Sequence, residues 1–423
     1  MEIPRKFANF IKINTQIKPH SCHLSKFSGY AKEQFIYFLR SVYTPWPLSQ
    51  EEDRQNERGY TSPARDVLCL GSFNDLEKLQ EGKKKMKNKV LSVSIAAYNV
   101  AGTLREALDP FLESGVLDAL DIMIVNDGSK DNTVEIATEY VAKYPGTFRL
   151  IDKENGGWGS TVNIGIEHAC GTFFRQLDGD DYYNPENMAA YLEFLKNTTA
   201  DLVVAPYVEY NDMTKEVISE PNCNPGCEIG KVYALEDIPS FAPFMHSMAV
   251  RTSLLQSKGL KITEHCFYTD TEFVLKSCNL VETVAFFDKP IYYYRRATSG
   301  QSMSLSGLEK HYKDNTKVIE VLLDYMNEQV TRDSVRKIYD NLLFGTCYWQ
   351  YMVMLYIKPN AAHKKDLIAY DKMLKRKNPD YYNRIDLSKI CKLRKTFFFG
   401  YRVAAKRQME QDKRFDKDGR MLY

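Results

Sequence analysis

The sequence predicts an α/β chain, a mostly parallel sheet flanked by helices and followed by a helical region. Three observations carry this. Short β-rich runs alternate with helix-like apolar spacing from residue 90 to about 205. The first four runs each end in a polar or glycine-rich turn. Beyond residue 305 the β-rich runs cease and apolar residues recur at helical intervals.

The elements follow in order. The run 90–97 reads as a strand bounded by Tyr98-Asn99, and Leu104, Leu108, Phe111 and Leu112 give the next helix one apolar face. A second strand covers 122–125 and leads to a helix over 132–144. A third covers 148–151, then a glycine-rich turn and a helix over 162–169. A fourth covers 172–177 and ends in Asp178-Gly179-Asp180-Asp181. A helix resumes after Pro185, which suits a first helical turn, and a fifth strand covers 202–205. Helices are expected over 308–326, 335–357 and 361–375. The organisation read from this is an ill-defined N-terminal extension over 1–89, with one helix near 24–42, an α/β domain over 90–304, and a helical region with a basic tail over 305–423.

Composition sets limits. The chain has 423 residues, 57 Lys+Arg against 55 Asp+Glu, and 44% apolar side chains. That apolar fraction excludes general disorder. The formal charge of +2 excludes a globally basic nucleic-acid binder, so no nucleic-acid partner is expected. Nine cysteines form no C-x-x-C pair. Cys223 and Cys227 bracket a turn without a second ligand pair, which argues against zinc. The N-terminus lacks a long apolar signal segment. The stretch 342–357 holds Gln350 and is short of the ~20 residues that span a bilayer, so it reads as a buried helix. The expected location is cytoplasmic. Residues 361–423 hold 18 Lys/Arg and 8 Asp/Glu, interleaved with Phe397-Phe398-Phe399 and Tyr401. Such a tail suits a peripheral seat on an anionic membrane surface, at ~1 kcal/mol per cation.

In an open α/β sheet, ligands bind beyond the carboxyl ends of the strands. Asp178, Asp180 and Asp181 fall there. Carboxylates this close repel unless a cation sits among them, and hard divalent cations take oxygen ligands shared with phosphates. A solvated turn is the plainer alternative. Asp127, after the second strand, is placed to accept from a base edge or a ribose hydroxyl, while Gly128 makes its turn. Gly157-x-Gly159 is followed at the third position by Val162, so it fails as a dinucleotide fingerprint. Gly157 instead lets backbone approach a ligand. Arg295 and Arg296 follow an apolar strand and are suited to a diphosphate, a solvated strand end being the plainer alternative. His246 lies beside an apolar stretch, and Trp158 reads as packing.

Together these pieces resemble a family 2 glycosyltransferase of the GT-A fold. They are Ala97-Tyr98-Asn99, Val125-Asn126-Asp127-Gly128-Ser129, Asn155-Gly156-Gly157, Asn163-Ile164-Gly165, Ala169-Cys170-Gly171 and Leu177-Asp178-Gly179-Asp180-Asp181-Tyr182. Later come Phe267-Tyr268-Thr269-Asp270-Thr271-Glu272-Phe273 and Tyr292-Tyr293-Tyr294-Arg295 with Gly300-Gln301-Ser302-Met303-Ser304. Their order across about half the chain carries the likeness. The resemblance implies an inverting transferase with a nucleotide-diphosphate sugar, a UDP-sugar first among them. Its acceptor would be a saccharide or lipid-linked molecule of surface polysaccharide or glycolipid synthesis.

Carried over by position, Ala97, Tyr98, Asn99, Asp127, Gly157, Asp178, Asp180 and Arg295 would bind the donor. Asp178, Asp180 and Asp181 would hold Mg2+ or Mn2+, and Asp270 would be the catalytic base. His246 and Glu272 would meet the acceptor. Thr269 stands where the family usually has an acid, so Glu272 is the second candidate base. Inverting transfer needs one base opposite the leaving group, and a diphosphate leaving group needs no general acid. Asp270 is equally placed to cap a helix. Two other readings remain at this point: a sugar nucleotidyltransferase, which would want cations in the first turn, and a non-catalytic binding module of the same fold.

Overall fold

The computed structural model describes residues 88–212, 214–238, 241–296 and 305–411. The expected N-terminal helix and the Gly300–Ser304 part of the resemblance lie outside the described residues.

Strands β1 (Leu91–Ala97), β2 (Leu120–Asn126), β3 (Phe148–Asp152) and β4 (Phe173–Asp178) alternate with helices α1 (Leu104–Glu113), α2 (Thr133–Lys143) and α3 (Trp158–His168). After the two-residue strand β5 (Tyr182–Tyr183) comes α4 (Pro185–Asn197). Asn184 caps α4 by accepting from Glu186 N at 2.9 Å, and Pro185 follows in the first turn, where its missing N–H is no loss. Then come β6 (Leu202–Val204), β7 (Tyr207–Asn211), β8 (Val217–Ser219), β9 (Val232–Ala234) and β10 (Met248–Arg251). Helices α5 (Thr252–Ser257) and α6 (Asp270–Leu280) precede β11 (Thr283–Phe286) and β12 (Tyr292–Arg296).

The main sheet has the order β3-β2-β1-β4-β10-β6-β11-β9. β1 pairs in parallel with β2 and β4, β2 with β3, and β6 with β11. β1 and β2 are buried along nearly their whole length, as near-continuous apolar runs in a covered parallel sheet should be. The alternation over 90–205 is therefore as expected. β10 was not foreseen. It enters between β4 and β6 antiparallel to both, so the sheet is mixed and mostly parallel.

A second sheet, β5-β12-β7-β8, was also not foreseen. β5 follows Asp181 directly and pairs with β12, Tyr183 opposite Tyr292. The acidic turn is thus the corner where the chain leaves the main sheet for the small one.

The C-terminal region is helical: α7 (Leu305–Gln329), α8 (Asp333–Tyr356), α9 (Ala361–Lys377), α10 (Pro379–Arg384), α11 (Ser388–Lys395) and α12 (Tyr401–Gln411). The apolar stretch read as a buried helix forms the second half of α8 and is buried. Its Gln350 is satisfied there. Its Nε2 donates to Tyr312 O at 2.8 Å and Thr316 Oγ1 at 2.7 Å, and Asn315 Nδ2 donates to its Oε1 at 2.7 Å. No helix among the described residues is long and apolar enough to cross a membrane.

Candidate active site

Strand register sets the site. Ala97 pairs with Asn126, and Ala96 with Asp178. The residues that follow three neighbouring strands therefore emerge at one edge, around a cavity of about 920 Å3.

Asp127 follows β2 and is nearly fully buried. Its Oδ1 accepts from Lys153 Nζ at 2.6 Å and Gly156 N at 2.8 Å, and its Oδ2 from Gly157 N at 2.8 Å. The carboxylate thus anchors the glycine-rich turn while lining the cavity. Gly157 has φ +80°, a conformation natural to glycine. Oδ2, with one donor recorded, keeps acceptor capacity for a ligand.

Asp178 ends β4, and Trp158 Nε1 donates to its Oδ1 at 2.7 Å. Burial, and next the charge of Asp180, push the Asp178 pKa up to about 7; Trp158 opposes the shift. Burial raises Asp180 as well. Gly179 between them is required by space: a Cβ there would stand 2.8 Å from Ala96 O. Asp181 is buried and outside the cavity lining; Tyr292 Oη–H donates to it at 2.6 Å and Arg295 N at 2.7 Å. Burial and the two neighbouring acids hold its pKa well above the carboxylate range.

His246 stacks on Tyr294, ring centroids 4.2 Å apart, and faces the cavity. Burial, then Arg296 and Arg175, lower its pKa to about 3, so the imidazole is neutral. Its buried Nδ1 has no hydrogen-bond partner among the described residues. Asp178, Asp181 and His246 each bring one ligand atom within 4.8 Å of the other two. That set of oxygens and a neutral imidazole fits a divalent cation. His246 therefore sits beside the acidic turn.

Asp270 opens α6 and lines the cavity opposite this edge. Its side chain remains accessible from inside the cavity, yet the surrounding protein displaces bulk water and raises its pKa; the N–H of Thr271 opposes the shift. Its charge is felt at Asp178. Two residues earlier, Tyr268 holds a left-handed φ of +64°.

Three expected site residues are placed elsewhere. Glu272 is fully buried and outside the lining. It receives Lys276 Nζ at 2.6 Å and both Thr263 N and Oγ1 at 3.2 Å, so it ties a loop to α6 instead of meeting an acceptor. Arg295 sends its guanidinium to Glu106 at 2.6 Å and Asp212 at 3.0 Å, away from the cavity. Its neighbour Arg296 lines the cavity, paired with Glu209 at 2.7 Å. Asn99 turns outward at φ +53°, and its Oδ1 accepts from Lys130 N at 2.7 Å. Ala97 and Tyr98 do line the cavity.

Other lining residues were not anticipated. Trp158, read as packing, packs on Phe273 and also bonds Asp178. Lys153, outside the lining but paired with Asp127 at 2.6 Å, follows β3 as Asp127 follows β2, a signal that strand-end position could have given. Lys310, His311 and Asp314 reach the cavity from α7, so the helical region forms part of its wall.

Residues 92–252 match the sequence profile described as Glycosyl transferase family 2. These residues, which run from β1 to β10, carry the profile of that family. EpsH of Bacillus subtilis (strain 168), described as a glycosyltransferase, is 27% identical over 275 residues, 61% of this chain and 75% of EpsH. Chondroitin synthase of Pasteurella multocida (strain Pm70) is 39% identical over 111 residues, 26% of this chain and 11% of that enzyme. The S. aureus TarS fragment 1–349, crystallised in complex with UDP-GlcNAc, superposes with TM-score 0.59 at 19% identity, covering 77% of this chain and 94% of the fragment. That likeness shows the GT-A-like fold. A glycosyltransferase profile over the strand-bearing region favours a transferase over the nucleotidyltransferase and the binding-module readings.

Proposed function

We propose that this glycosyltransferase moves a sugar, with inversion, from a nucleotide-diphosphate donor to a hydroxyl of a saccharide or lipid-linked acceptor in surface polysaccharide or glycolipid synthesis. One observation carries the reading: Asp127, Asp178, Asp180 and Asp270 line a single cavity of about 920 Å3, a volume suited to a nucleotide sugar. The UDP-GlcNAc held by the TarS fragment and the name of chondroitin synthase support a UDP-sugar and a saccharide product.

Asp127 and Gly157, both in the lining, are suited to the nucleoside. Asp270 takes the proton of the acceptor hydroxyl as that oxygen attacks the anomeric carbon. Asp178 and Asp181, with His246, would hold Mg2+ or Mn2+, and Asp180 shares their edge of the cavity. Such an ion, when bound, neutralises charge that builds on the departing diphosphate. The region 90–304 supplies the acids, and 305–423 closes one wall.

A thermal-shift screen of nucleotide-diphosphate sugars, UDP-GlcNAc first, with and without Mn2+, tests this reading. A stabilisation that needs both sugar nucleotide and ion is expected by mass action. No shift with any donor would overturn it.

A further inference from the structure

The turn between α11 and α12 holds two phenylalanine rings in solvent. Phe397 is 87% exposed and Phe399 83%, while Phe398 between them is buried in the core cluster. Phe397 and Phe398 take left-handed backbone, φ +49° and +59°, a region that bulky side chains avoid. Hydrogen bonds hold the turn there. Phe398 N donates to Leu393 O at 2.7 Å, and Thr396 Oγ1 to Phe399 O at 3.2 Å. The outward display is therefore built in, not the result of a loose end.

Positive charge surrounds the rings. From Ser388 to Met409 the chain carries seven Lys/Arg and no Asp or Glu. Arg394 turns inward to Asp371, and Lys389 donates to Gln408. Lys392, Lys395, Arg402, Lys406 and Arg407 are exposed, with no ion pair among the described residues. On α12, Tyr401 and Ala405 are buried. Helical spacing puts Arg402, Val403, Lys406, Arg407 and Met409 on the opposite, outward side. Val403 and Met409 on that side are 54% and 39% exposed.

We propose that this edge docks on an anionic lipid bilayer, with Phe397 and Phe399 inserted beneath the headgroups and the cations held at the phosphate level. Two rings exposed at 87% and 83% suit a fluid apolar layer, which needs no shape-matched pocket. Five exposed cations without an ion pair among the described residues favour a negative surface. The docking is peripheral, since no described helix crosses a membrane. It stands apart from the transfer reaction and is read without donor or acceptor.

The test is flotation of the full chain with vesicles of phosphatidylglycerol and phosphatidylcholine in equal parts, against phosphatidylcholine alone. Binding to the mixed vesicles only, weakened by salt, is expected. Phe397→Ser with Phe399→Ser should lower partitioning on the order of a hundredfold, about tenfold per ring, with the melting temperature unchanged. Phe397→Trp should show blue-shifted indole emission when mixed vesicles are added. Absence of binding at low salt, or binding that the double serine variant retains, overturns the proposal. So does a concentration-dependent dimer that the double variant loses while vesicles capture neither form, since the patch would then join two copies of the chain.

Discussion

Asp270 and Glu272 lie two positions apart, about 200° around a helix, and so face opposite surroundings. Asp270 faces the cavity; Glu272 faces Lys276 and Thr263. Asp270→Asn should lower kcat by ~10²–10⁴-fold and keep the donor-dependent thermal shift. Near-normal turnover would remove Asp270 as the base. The base acts when ionised, and burial raises its pKa above the ordinary 3.8. The kcat/KM profile should therefore rise with pH through a midpoint above the usual carboxylate range, and a midpoint at the ordinary value would contradict the assignment. Trp158→Phe keeps the ring against Phe273 and removes the N–H donated to Asp178. A hydrogen bond to a charged group contributes ~1.5–3 kcal/mol. A loss of about tenfold or more in kcat/KM is expected, with the fold retained by circular dichroism.

At the scale of elements, α6 carries both a reactive end and a structural seam. Breaking the buried Glu272–Lys276 pair with Glu272→Gln should destabilise the protein by about 3 kcal/mol, read by urea unfolding, and leave kcat per folded molecule near normal. The sequence could not separate these two acids, because a helix hides direction behind proximity. The same limit explains Arg295. Along β12 successive side chains point to opposite faces, so the neighbour Arg296 reaches the cavity and Arg295 does not. The acids Asp127, Asp178 and Asp180 were legible because strand ends in a parallel sheet share one edge whatever their side-chain rotamers. The helices α7, α8 and α9 were legible from long apolar spacing. The small sheet was not: β5 has two residues and β8 three, too few to show a period. The partner of β5 is β12, more than a hundred residues away. β10 was missed for the same shortness, and its antiparallel place between β4 and β6 has no local signature.

For the whole molecule, the cavity belongs to both the α/β and the helical regions. Lys310, His311 and Asp314 of α7 complete its wall, and α8 packs against α6 and α7 in turn. A chain ending at residue 304 should expose the apolar face of α6 and lose the donor-dependent thermal shift. A folded monomer of that length that still responds to donor would contradict a shared wall. The shared wall also orders events on the ribosome. The acid-bearing strands emerge early, but the pocket cannot close until α7 has left the exit tunnel and α8 has followed to brace it. A nascent chain halted before that point presents Asp127, Asp178, Asp180 and Asp270 and still has no chamber in which to consume activated sugar.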